Sequence, residues 1–109
     1  KDAFNEYLFK SEKNLIENIK LDLSYHEDKN DYPRIVVRSV KGEVFGPQPF
    51  LCFKRKDGKY IHDNFDFDLE KGIWHYAFHD DTLKIHDIEK LSVAANDKYG
   101  NTDIVSLNL

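Results

Sequence analysis

From Leu91 to Leu109 apolar and polar side chains alternate twice, on either side of a polar turn. Leu91, Val93 and Ala95 fall on one side of an extended segment, with Ser92, Ala94 and Asn96 on the other. Side chains along a strand repeat every two residues, so this pattern predicts a strand with one buried face. Val105, Leu107 and Leu109 form the matching row after the turn, with Ser106 and Asn108 outward and Ile104 as the exception. Between the two rows, Asp97 and Asn101 suit a turn through their short side chains, and Gly100 can take a positive φ at little steric cost. The segment reads as a terminal β-hairpin.

The same period runs through the rest of the chain. Ile19, Leu21, Leu23 and Tyr25 alternate with Lys20, Asp22, Ser24 and His26, which predicts a first strand beginning near Asn18. The polar stretch Glu27 to Asp31 ends at Tyr32-Pro33, and Ile35 to Val40 follows as a β-branched run suited to a central strand. Gly42, Gly46, Pro47 and Pro49 then break the chain. Phe50 to Arg55 and Lys59 to His62 flank Asp57-Gly58, a dipeptide that favours a type I′ hairpin. Phe65, Phe67 and Leu69 alternate with polar neighbours up to the turn Glu70-Lys71-Gly72, and Ile73 to His79 places Trp74, Tyr76 and Phe78 on one face. Residues 80 to 90 are polar and ambiguous, with Ile85 and Ile88 as anchors of a loop.

Seven or eight short strands, with no convincing amphipathic helix after residue 18, predict an all-β fold over residues 13–109, an antiparallel β-sandwich or a small barrel, of which the sandwich is preferred. Residues 1–12 mix Phe4, Tyr7, Leu8 and Phe9 with lysines and acids and read as a linker or lead-in. The spacing Val93-x-Ala95-x-Asp97-x-x-Gly100-Asn101 resembles the last strand pair of immunoglobulin-like and fibronectin-type-III-like modules, which bacterial surface and secreted proteins use as accessory domains. The antibody-type cysteine pair is missing from this chain, which has a single cysteine. The resemblance implies that the sandwich is an antiparallel immunoglobulin-like β-sandwich, with a structural or interaction role in a larger extracellular or cell-surface protein, whose other domains could include a hydrolase.

Composition narrows the functional classes. The chain has 109 residues, 40% of them hydrophobic, 14% aromatic and 33% charged, which is enough apolar material for one core. A net charge of -4 gives no general attraction for phosphate backbones, and the basic cluster Lys54-Arg55-Lys56 is interrupted by Asp57, so nucleic-acid binding is disfavoured. No apolar run reaches the roughly 18 residues of a membrane helix. The absence of any methionine, including a first one, suggests a piece of a longer protein. Cys52, in Phe50-Leu51-Cys52-Phe53, reads as a small core hydrophobe and has no partner for a disulfide within the chain.

Candidate chemistry is sparse. His75 and His79 are the closest histidine pair on one side of a predicted strand, but four residues along a strand span roughly 13 Å. A shared zinc needs each nitrogen at about 2.0–2.1 Å, so no metal site is assigned. Asp28 with Asp31, Asp66 with Asp68, and Asp80 with Asp81 could supply oxygens to calcium, yet polar turns need the same residues. The chain has no Gly-x-Ser-x-Gly elbow and no Gly-rich phosphate loop, and Cys52 sits in an apolar setting. The reading is therefore non-enzymatic and free of cofactors. Trp74 and Tyr76 carry the alternative, a carbohydrate-binding module that stacks sugars on an aromatic face. That alternative requires the two rings to face solvent, whereas in a sandwich such a row builds the core. The expected partner is a neighbouring domain of the same chain or another protein, with a glycan as the second choice.

Overall fold

The computed structural model describes residues 18–27, 29–79 and 83–109, which include eight strands and one 3-10 turn. In chain order the strands are β1 (Lys20–His26), β2 (Arg34–Lys41), β3 (Phe50–Arg55), β4 (Tyr60–Asp63), β5 (Asp66–Asp68), β6 (Ile73–Ala77), β7 (Ile88–Asn96) and β8 (Thr102–Asn108). Each odd strand forms an antiparallel hairpin with the even strand that follows it. Two hairpins then join through their inner strands to make each sheet, β2 with β6 and β3 with β7. The result is two four-stranded antiparallel sheets, ordered β1-β2-β6-β5 and β4-β3-β7-β8. The all-β sandwich expected from the alternating pattern is the observed fold. The predicted lead-in, residues 1–12, lies outside the described residues, as does the Asp80–Asp81 pair.

The alternating rows fill the space between the sheets. Leu21, Ile35, Val37 and Phe78 face Leu51, Phe53, Leu91 and Val93, and all are buried. Phe53 has no exposed surface and meets the rings of Tyr76 and Phe78 at 5.2 and 5.6 Å between centroids. Burying a side chain of this size favours folding by about 1.5–3 kcal/mol, and tilted aromatic pairs add about 0.5–1.5 kcal/mol beyond the area buried. Ile19, just ahead of β1, is also buried, so the alternation begins one residue before the first ladder pair.

The structure departs from the sequence pattern in particular places. The loop between β3 and β4 is not a type I′ turn, because no residue other than glycine has a positive φ and Asp57 would need one. Instead the Gly58 N–H donates to the Arg55 carbonyl, the Arg55 N–H donates to the Lys59 carbonyl, and Gly58 takes φ 89°. This is a type I turn followed by a left-handed glycine bulge. The Asp57 carboxylate holds it by accepting from the Lys59 N–H and the Arg55 guanidinium. β5 is only three residues long and sits at a sheet edge, so Phe67 is half exposed and Leu69 stands 85% exposed in the turn beyond it. β7 starts at Ile88 rather than Leu91, across a register shift between Lys54 and Arg55 of its partner strand, which makes Ile88 a core residue instead of a loop anchor. Leu109, assigned to the inner row of β8, lies past the strand and is partly exposed.

The ends of the sandwich are stitched by two aspartates. Asp97, 6% exposed, is the one buried charged residue among the described residues. Its carboxylate accepts from the backbone N–H groups of Tyr99 and Asn101 and from the Asn101 amide, and the nearby Ile19 backbone also favours its charged form. Gly100, at φ 84°, completes the turn by donating to the Asp97 carbonyl. Asp103 of β8 accepts from the Leu21 N–H at 2.8 Å, joining the edge of one sheet to the edge of the other. The sequence marked Asp97 as a turn residue, and the structure also sets it beside the entry of β1.

Candidate functional site

Tyr76 and Trp74 do not form an open aromatic platform. Tyr76 is 8% exposed and lies between Phe53 and Phe78, so it belongs to the core. Its hydroxyl donates to the Asp63 carboxylate at 2.7 Å, and burial together with that neighbouring charge pushes the phenol well above the usual tyrosine range. Trp74 is half-buried, tilted against Phe67 with centroids 5.1 Å apart, and its indole nitrogen is buried without a hydrogen-bond partner. The reading of this row as core is the one its position supports.

Several titratable side chains are occupied in turns and ion pairs, whereas His75 Nδ1 is buried without a hydrogen-bond partner. Asp31 pairs with Arg34 and accepts from the Tyr32 N–H, Asp68 accepts from the Lys71 N–H in the turn that follows β5, and Asp22 pairs with Arg38. His75 lies in β6 and pairs across the sheet with Val36 and Asp66, while the His79 ring packs edge-on against Tyr32. Among the described residues no group of three or more His, Cys, Asp or Glu converges as metal ligands would. The Ser24 hydroxyl lies 2.9 Å from His26 Nε2, the contact a nucleophile makes with its base. Both side chains stand on the open outer face of β1, however, where water has free access and no cleft holds a substrate.

The two outer faces of the sandwich differ in where their charges lie. On the β1-β2-β6-β5 sheet the outward positions interleave Lys20, Asp22, Arg34, Arg38, Asp66 and Asp68 with Val36, Val40, Ile73, His75 and Ala77, so charges of both signs are spread over the face. On the β4-β3-β7-β8 sheet, Phe50, Ala94 and Ile104 are direct cross-strand neighbours and form one outward row. His62, Cys52, Ser92 and Ser106 form the next row. Neither row has a carboxylate, a lysine or an arginine. Lysines appear only in the third row, where Lys54 is compensated by Glu89 at 3.3 Å and Lys90 lies opposite Asn108.

The apolar side chains of this face are prominent. Phe50 is 74% exposed, Phe45 68% and Ile104 65%. The Phe45 N–H donates to the Asn96 carbonyl at 2.7 Å, which pins the loop between β2 and β3 against the end of β7. Between that loop and the sheet lies a groove of about 500 Å³, with Phe45, Pro47, Phe50 and Ala94 on its apolar side and His62, Asp63 and Asn64 on its polar side. Gln48 braces the floor, accepting from the Phe65 N–H and donating to Asn64. Cys52, expected in the core, instead lies half-buried at the middle of the outer face.

Alternation marked Ile104 as an outward exception, and that was the available sequence signal for this surface. Phe50 and Phe45 gave none, since one begins a strand and the other lies in a loop whose path depends on tertiary contacts. No protein-family model, curated protein or solved structure matches the chain.

Proposed function

We propose that this domain is a non-catalytic interaction module that docks a protein surface through the outer face of its β4-β3-β7-β8 sheet. The observation that carries the reading is the exposed row Phe50, Ala94 and Ile104, extended by Phe45, in a chain of which one third is charged. Protein interfaces are depleted of charge at their centres and enriched in aromatic residues, whereas apolar patches of several hundred Å² are uncommon on surfaces that remain wet. The strand order supports the architecture of the reading. β1-β2-β6-β5 against β4-β3-β7-β8 corresponds to A-B-E-D against C′-C-F-G in the immunoglobulin-like sandwich, a scaffold widely used for recognition. The role as an accessory domain of a larger, extracellular protein rests on that resemblance.

Site-specific photo-cross-linking tests the proposal. A photoreactive residue at position 50, introduced in the producing organism, is expected to give a discrete protein adduct, while the same residue at position 38 on the charged outer face gives none. Equal labelling from both positions, or none from position 50, would reject it.

A further inference from the structure

We infer that the partner of this face is a second copy of the chain, packed face to face about a twofold axis; the inference rests on the docking role proposed above. Relief is the first argument. Phe50 and Ile104 flank Ala94 across three adjacent strands, so they stand about 9.5 Å apart as two ridges with a methyl between them. Two residues further along the strands, about 6.8 Å away, Cys52, Ser92 and Ser106 make a trough of small side chains. One surface thus carries both the projection and the recess that receives it. This is the condition for an isologous contact, in which each copy offers the same patch to the other.

Charge is the second argument. Each copy carries a net charge of -4, so two copies repel over most orientations. The Phe50 and Cys52 rows present no carboxylate, lysine or arginine, so across these two rows two acidic copies can meet without juxtaposing carboxylates; the nearest charges are Asp63 in the groove and the Lys54–Glu89 pair and Lys90 in the third row.

Area is the third argument. Phe45, Phe50 and Tyr60 are each about two-thirds exposed or more. Aromatic side chains bury about 150–250 Å² each, so with Ile104 these four offer about 400–600 Å². A standard interface needs about 800 Å² per partner, so these four supply roughly half to three-quarters of it. Contact of this size supports a dimer in the micromolar range rather than a permanent one, since the cost of association offsets much of the burial.

Sedimentation equilibrium of the whole chain tests this. The expected result is a monomer–dimer equilibrium with a dissociation constant of about 1–100 µM. Phe50→Glu is expected to weaken it by about 100-fold, because it buries a carboxylate near its own twofold mate. Ser106→Arg, which fills the trough from an exposed position, is expected to weaken it at least 10-fold, and Arg38→Glu on the opposite face leaves it unchanged. Phe50 and Ser106 are both exposed, and an unchanged thermal midpoint in each variant confirms folding. A chain that stays monomeric at about 500 µM, well above the interface estimate, overturns the second copy as partner while leaving the docking reading to the cross-linking result. A dimer indifferent to both Phe50→Glu and Ser106→Arg overturns the inference and moves the contact off this face.

Discussion

Replacing Asp97 by alanine should be among the most damaging single changes at a polar residue of this domain, because its buried carboxylate holds the β7–β8 turn together. The carboxylate accepts three hydrogen bonds within the β7–β8 turn, and the nearby Ile19 backbone at the entry of β1 also favours its charged form. With a net loss of about 1 kcal/mol for each of the three bonds, the total is about 3 kcal/mol. For a domain of this size that lowers the thermal midpoint by roughly 15–25 °C. The effect also has a pH signature. Burial raises the pKa of Asp97, but the donors of Asn101 and Tyr99, together with the nearby Ile19 backbone, outweigh it and hold the group below the usual carboxylate range. A group with a depressed folded-state pKa stabilises the fold above its unfolded value, near 3.9, and loses that contribution as pH falls through the folded value. Urea unfolding followed by circular dichroism at pH 7 and at pH 3 should therefore show a wide gap between the native chain and Asp97→Ala that narrows in acid. A gap under about 1 kcal/mol at pH 7, or one that does not change with pH, would refute the argument.

Other substitutions probe other parts of the structure. Phe53→Ala removes a ring with no exposed surface from between both sheets and should cost about 3–5 kcal/mol in the same unfolding assay. Tyr76→Phe leaves the Asp63 carboxylate without the phenol and should cost about 1–2 kcal/mol. In the native chain, spectrophotometric titration should find one phenol still protonated when exposed tyrosines have ionised near pH 10, because the fold favours the neutral form. Its contribution is present below pH 10 and is lost as pH rises toward the folded-state value. Gly58→Ala should cost about 1–2 kcal/mol, since its φ of 89° strains any side chain even though the space around it is open.

How much of this was legible in the sequence follows from where each residue gets its instructions. Strands with one face in the core carry the signal in their own period, so Leu21, Ile35, Val37, Leu91 and Val93 could be assigned inward without coordinates. The assignment weakened at the edges, where the partner is on one side only. Phe67 and Leu69 alternate correctly but lie on or beyond a three-residue edge strand with little of the opposite sheet to cover them. The turn at Asp57-Gly58 shows a different limit, because a dipeptide admits two hairpin geometries and the Asp57 carboxylate contacts decide between them. The candidate docking face was harder still. Its rows run across β3, β7 and β8, so Phe50, Ala94 and Ile104 become neighbours only through strand register, a property no local window contains. The same register moves Cys52 to the outer side, against an apolar local sequence that suggested the core.

The single cysteine offers the most direct measurement of the central claim, that the Phe50 and Cys52 rows of the outer face form an interface between two copies of the chain. Cys52 lies half-buried in the trough between Phe50 and Lys54, so its reaction with a small disulfide reagent reports whether that trough is open. The account predicts that the reaction slows as the protein concentration rises through the micromolar range, and that in Phe50→Glu it does not. A rate that is the same at every concentration in the native chain would contradict it.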